Sequence, residues 1–334
     1  MKITIDSLRK TYGRQVALDI PSLSIEEGEI IGLVGNNGAG KTTLFRLMLD
    51  LLQGDSGSVT IGDVNVCLNE KWKETTGAYL DESFLIDYLT PEEYFDFVGR
   101  MCGLTSQTVR ERLQPYERFM NGEIMGQQKL IRNLSAGNRQ KVGILAALIN
   151  RPQVIILDEP FNFLDPSSQM ALKSLLQEYN EQTGATVLVS SHNLGHTVDI
   201  STRILLLEHG ELVADLDNRE GAAREKLEVY FNMAAKPVSE KDNDGAVAAP
   251  NGEHAGNSQP DEQLAESPEL EQPNGTEENL QAETEGVSAS ASETDPDATT
   301  KAGAGIGKRK KGYLKNLKYG TVQRCCPIFL CTFV

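Results

Sequence analysis

The chain has 334 residues, enough for one or two domains and a sizeable core. It carries 48 acids against 32 Lys and Arg, a net charge of −16, and its five cysteines show neither a disulfide framework nor a CxxC…CxxC zinc spacing. The N-terminal "MKITIDSLRK" lacks an apolar h-region, and no run approaches the roughly 20 apolar residues of a spanning helix; neither a signal peptide nor a span is expected, and the body should be soluble and cytosolic.

In chain order, "MKITIDSLRKTY" alternates apolar and polar residues and predicts an antiparallel edge element. "EIIGLVG" (Glu29–Gly35) reads as a buried strand and "KTTLFRLMLDLL" (Lys41–Leu52) as a helix. Between them, Gly35-Asn36-Asn37-Gly38-Ala39-Gly40-Lys41-Thr42 fits G-x-x-x-x-G-K-[ST], after a strand and before a helix, the context a phosphate loop requires. The glycines let successive backbone N–H groups point inward as an anion nest, and the helix start adds its own N–H groups and dipole. Lys41 then brings charge to the β- and γ-phosphates, Thr42 offers a hydroxyl to Mg²⁺, and Thr43 reaches the α-phosphate.

From Asp81 to Asn150 strand signals fade and helical ones dominate. "TPEEYFDFVGRMCG" has Thr90 as N-cap, Pro91 at the first helical position and Glu93 to close a capping box. "QVIILD" (Gln153–Asp158) and "TVLVSS" (Thr186–Ser191) read as buried strands, with helical "PSSQMALKSLLQEYNEQ" between them. Continuous apolar strands alternating with helices imply a parallel sheet covered on both faces. Ligands of such sheets sit at the carboxyl ends of strands. Asp158 is therefore placed to hold Mg²⁺ and Glu159 to polarise an attacking water.

From Lys236 to Asp297 sixteen acids face two lysines, a local charge of −14, with no aromatic residue. Residues 233–305 are expected to be a disordered acidic linker. The basic, Cys-containing tail of 306–334 has seven basic residues in "GKRKKGYLKNLKYGTVQR" and Cys325, Cys326 and Cys331 beyond. Weak contact of this tail with an anionic membrane is one reading; a solvated tail and a nucleic-acid contact are others.

"NLSAGNRQKVGILAALINRPQVIILDEPFNFLD" resembles the signature helix, carboxylate strand and following turn of ABC-type ATPases, a likeness that covers residues 1–232. The signature reads Leu134-Ser135-Ala136-Gly137-Asn138 where LSGGQ is usual. The resemblance implies an α/β P-loop NTPase (RecA-like) core with an antiparallel β subdomain and a helical insert at about 82–150. It assigns Ser135 and Gly137 to the γ-phosphate of ATP on another protomer, and Tyr12 to stacking on adenine. Asp165 falls at the turn that crosses to the partner, and His192 matches the switch histidine that orients water. Asp81, followed by Glu82, stands where a Gln that binds Mg²⁺ is usual; Asp adds a charge and shortens the reach. His196, His209 and His254 have no such placement.

The function implied is an ATP-binding and hydrolysing subunit, a homodimer or heterodimer closing over two ATP·Mg²⁺. It would power transport, with export expected, through a separate permease, at the cytoplasmic face of the membrane. The alternative is a soluble ABC ATPase acting on ribosomes, DNA or protein assemblies; a nucleotide-gated adaptor is a third class. No specific nucleic acid is expected as a partner, and ATP is the expected nucleotide because no N-K-x-D motif appears.

Overall fold

The computed structural model describes residues 1–219 and 221–234. The acidic stretch beyond 234 and the basic tail lie outside the described residues. The strands are β1 (Ile3–Tyr12), β2 (Gln15–Ile25), β3 (Ile30–Val34), β4 (Ser56–Ile61), β5 (Val64–Asn65), β6 (Thr76–Tyr79), β7 (Val154–Leu157), β8 (Thr186–Ser191), β9 (Arg203–Glu208) and β10 (Glu211–Asp217). They form one sheet in the order β5-β4-β1-β2-β10-β9-β3-β8-β7-β6. The helices are α1 (Lys41–Met48), α2 (Pro91–Met101), α3 (Ser106–Leu113), α4 (Glu117–Met120), α5 (Ala136–Leu148), α6 (Pro166–Thr183), α7 (Leu194–Val198) and α8 (Ala223–Ala234).

From β9 to β6 the neighbours run parallel, with Ile31 and Ile156 both level with Leu188. Every residue of β3, β7 and β8 is buried, as their continuous apolar runs require. Alternate side chains serve opposite faces. Ile155, Val187 and Val189 pack with α5, α6 and the helical insert. Ile31, Leu33, Ile156 and Leu188 pack with Leu44, Phe45 and Met48 of α1 and with β1 and β2.

Two expectations change. β1 is not an edge strand: Ile5 is level with Leu23 of β2 and also with Val59 of β4, so β1 is paired on both sides. The edge falls to the two-residue β5. Alternation could not show this, because a strand with one buried face reads alike at an edge or inside. The helix from Lys41 ends at Met48, four residues early. Asp50 turns left-handed at φ 53°, and the N–H groups of Leu51 and Leu52 bond back to the Arg46 carbonyl at 2.9 and 3.2 Å. Leu51 and Leu52 then pack partly against the core instead of extending the helix.

The helical insert forms as read. Thr90 and Glu93 make the complete capping box of α2, with Pro91 in its first turn. Tyr94, Phe95, Val98, Val109, Leu113 and Phe119 bury the insert against the main core. The chain returns through residues 131–133 to α5, capped by Ser135, and from there to β7.

Candidate nucleotide site

The site starts where β3 leaves the sheet between β8 and β9. Residues 35–40 fold back over the strand end, with φ of 84° at Gly38 and 107° at Gly40. A Cβ on Gly40 would stand 2.8 Å from the Ala17 carbonyl oxygen, so both conformation and contact require glycine there. α1 opens without a side-chain cap. Its first N–H groups therefore remain available to an anion, and the left-handed residues before it turn further N–H groups the same way.

Lys41 is 6% exposed. Its Nζ donates to the Gly35 carbonyl at 2.7 Å and the Asn36 carbonyl at 3.4 Å, and lies 3.4 Å from Glu159 Oε1. A cleft of ≈360 Å³ opens over the loop, lined by Tyr12, Asn36, Asn37, Gly38, Ala39, Gly40, Lys41, Thr42, Thr43, Glu159 and His209 among others. Tyr12, at the end of β1, is 55% exposed at its rim, with Lys10 Nζ 5.8 Å from the ring centre.

The acidic wall comes from the end of β7. Asp158 is 6% exposed and accepts from the Thr42 hydroxyl at 2.5 Å and from the Ser190 hydroxyl. Burial pushes its carboxyl above the usual range, against the pull of those two hydrogen bonds. Glu159 has a left-handed φ of 47°, a conformation that costs about 1–3 kcal/mol in a non-glycine residue. It is held there: its N–H donates to Ser190 Oγ at 2.8 Å, and its carbonyl accepts from Gln140 Nε2 at 3.2 Å. One oxygen of its carboxylate lies near Lys41, and the other is 2.9 Å from His192 Nδ1. The structure thus brings Lys41, Thr42, Asp158, Glu159 and His192 together from three separate stretches of chain.

The remaining expected residues lie elsewhere. Ser135 accepts from the Asn138 N–H at 3.2 Å and starts α5, and a Cβ on Gly137 would meet the Phe163 carbonyl oxygen at 2.6 Å. Glycine here lets α5 approach the turn before α6. Asp165 caps α6, accepting from the N–H groups of Ser167 and Ser168 at 2.9 and 3.0 Å and from both hydroxyls, which holds its carboxyl well below the usual range. Asp81 accepts from the Ser83 N–H at 2.8 Å and from its hydroxyl, and lies 3.8 Å from Arg46. Its carboxylate is thereby occupied by its own 3₁₀ turn.

Two residues escaped the sequence reading. Ser190 serves both Asp158 and Glu159; the clue was a pair of serines closing an otherwise apolar strand. His209 lines the cleft from the β9–β10 turn, where His209 and Gly210 have φ of 49° and 85°. The clue was a His-Gly pair between two strand-like runs, a hairpin signal with both central residues left-handed.

A glycine loop of this form, joining a buried parallel strand to a helix and facing an acidic strand end, places the molecule among the P-loop nucleoside triphosphatases. The ABC transporter family profile matches residues 18–162. The chain is 36% identical over 214 residues to an uncharacterized ABC transporter ATP-binding protein of Bacillus subtilis, covering 64% of this chain and 68% of that one. It is 32% identical over 255 residues, 75% of each chain, to the doxorubicin resistance ATP-binding protein DrrA of Mycobacterium tuberculosis. Among solved structures, a dimeric post-hydrolysis ATP-binding cassette bound to ADP and Pi superposes with a TM-score of 0.59 at 26% identity, over 65% of this chain and 99% of that one. The chain belongs to the ABC transporter ATP-binding proteins. It binds and hydrolyses ATP as a transporter subunit, and the soluble alternative falls away.

Proposed function

We propose that residues 1–232 form a cassette that closes, with a second copy or a related subunit, over two molecules of ATP. Each site would join the Gly35–Thr42 loop of one protomer to Ser135 and Gly137 of the other, with Asp165 at the turn between them. The cassette superposed above is a dimer, which supports this reading. The observation that carries it is the Glu159 carboxylate standing between Lys41 and His192.

In this reading the loop N–H groups and Lys41 hold the phosphates, Thr43 contacts the α-phosphate and Tyr12 stacks on adenine. Glu159 takes the proton of the attacking water, a role worth about 10²–10⁴ in rate, with His192 fixing its carboxylate. Thr42 and Asp158 suit Mg²⁺, which would neutralise developing phosphate charge. They offer hard oxygens in contact with each other, and among the described residues no cluster of three or more His, Cys, Asp or Glu competes as a cage. Asp81, tied to Ser83, would reach such an ion only after leaving its turn.

Among the described residues no helix is long and apolar enough to cross a membrane. A separate permease would supply the path, with this chain peripheral at its cytoplasmic face and the helical insert as the docking part. The drug-resistance name of the Mycobacterium relative favours export. The test is Glu159→Gln: it should keep ATP binding, lose hydrolysis by about 10²-fold or more, and elute as a dimer in ATP on size exclusion. Hydrolysis at the wild-type rate, or a variant that stays monomeric in ATP, would refute the assignment.

A further inference from the structure

A second cleft, of ≈270 Å³, lies away from the nucleotide site between the helical insert and α6. Arg112, Tyr116, Arg118 and Phe119 line it from the insert, with Arg151 and Tyr179 from the core. Three arginines line one concavity, and among the described residues none of them forms an ion pair. Glu178 also lines the cleft, which leaves a local charge of +2. Arg112 uses one donor on the Ile149 carbonyl at 2.8 Å; a guanidinium has five.

The aromatic residues add both walls and a donor. The Tyr179 hydroxyl is fixed to the Pro152 carbonyl at 2.9 Å. Burial pushes the Tyr116 phenol up, against the pull of Arg151, so its hydroxyl keeps its proton and can donate. Arg151 itself is an outlier. It has φ 52° directly before Pro152, a left-handed position where Gly or Asn would fit with less strain. This left-handed residue closes the turn that ends α5, its N–H donating to the Leu148 carbonyl at 2.9 Å, and it places Arg151 on the rim of the cleft.

We propose that this cleft binds a phosphate-bearing ligand, the phosphate held by Arg112, Arg118 and Arg151 and the organic part lying against Tyr116. A phosphate monoester offers three terminal oxygens and up to two negative charges, matching three forks and a +2 lining; a carboxylate offers two oxygens and one charge. The volume equals that of about nine waters at roughly 30 Å³ each, room for a phosphate and a ring. Such a ligand would tie Arg118 on α4 to Arg151 on the turn that enters β7, the strand ending at Asp158. The phosphate can come from a soluble phosphomonoester or from a lipid headgroup.

The test uses the full-length chain with Glu159→Gln, saturated with ATP, so that the nucleotide site is filled and does not turn over. Phenyl phosphate is titrated by calorimetry, and phosphatidylcholine vesicles with and without phosphatidate are used in flotation. Arg118→Gln and Arg151→Gly, the latter accepting the positive φ, are compared with the parent; unchanged ATP affinity confirms that each is folded. The expected result is binding of phenyl phosphate, or phosphatidate-dependent flotation, that each variant weakens about tenfold or more, the loss of one charge-assisted contact. The first outcome identifies a soluble source and the second a headgroup. Binding to neither probe, or binding that either variant leaves unchanged, overturns the proposal.

Discussion

Replacing Ser190 with alanine removes a hydroxyl that serves two acidic residues at once. The side chain donates to Asp158 and accepts the Glu159 N–H at 2.8 Å, and the residue is 0% exposed, so bulk water does not replace it. A hydrogen bond to a charged group contributes about 1.5–3 kcal/mol. If that loss falls wholly on the transition state, kcat/KM drops about 10- to 150-fold at roughly 1.36 kcal/mol per decade. The pH profile should move as well. Burial raises the Asp158 carboxyl, and the Ser190 bond is the larger of the two hydrogen bonds that lower it. Without that bond the carboxyl rises further, so the acidic limb of kcat/KM shifts to higher pH. Phosphate release measured from about pH 5 to 9 reads both effects. A Ser190→Ala chain with wild-type kcat/KM and an unmoved acidic limb would refute the reasoning.

Tyr12→Ala should weaken ATP binding by a few-fold to about tenfold through the loss of roughly 0.5–1.5 kcal/mol of stacking, with kcat unchanged; nucleotide titration and steady-state kinetics separate the two. Phe95 is 1% exposed in the core of the helical insert. Phe95→Ala should cost about 3–5 kcal/mol and lower the Tm by roughly 6–20 °C in a thermal melt. Asp55 accepts from the Thr11 hydroxyl and N–H at 2.6 and 2.7 Å and from Lys10 at 3.1 Å, which hold its carboxyl at about 2 rather than the ordinary 3.8. A lowered folded-state value stabilises the chain above about pH 4, and that contribution is lost as the pH falls toward 2. Asp55→Asn should therefore flatten the acid-unfolding curve in this window and lower the neutral-pH Tm slightly.

The fold of the glycine loop was legible because it is local: eight consecutive residues, a strand before and a helix after. Asp158 and Glu159 were legible for a similar reason, being polar residues at the end of an apolar run. Ser190 was not, because its role depends on β8 lying beside β7, a long-range pairing that pattern alone does not specify. His209 was missed on the same ground, since it reaches the cleft only because β9 lies beside β3. The position of β1 inside the sheet likewise depends on β4, which is more than forty residues away. Asp81 was placed at its loop by resemblance, but its neighbour Ser83 governs its carboxylate, and that competition is visible only in coordinates.

The β9–β10 turn is joined to the phosphate loop by a backbone hydrogen bond. The Gly210 N–H donates to the Ala39 carbonyl at 2.9 Å, and the Gly210 carbonyl accepts from the Asp19 N–H of β2 at 2.8 Å. One peptide-length rivet thus fastens the antiparallel layer to the rim of the nucleotide cradle. Gly210 thus links both the β2 strand and the Ala39 carbonyl through its own peptide groups, beside the β9–β3 ladder.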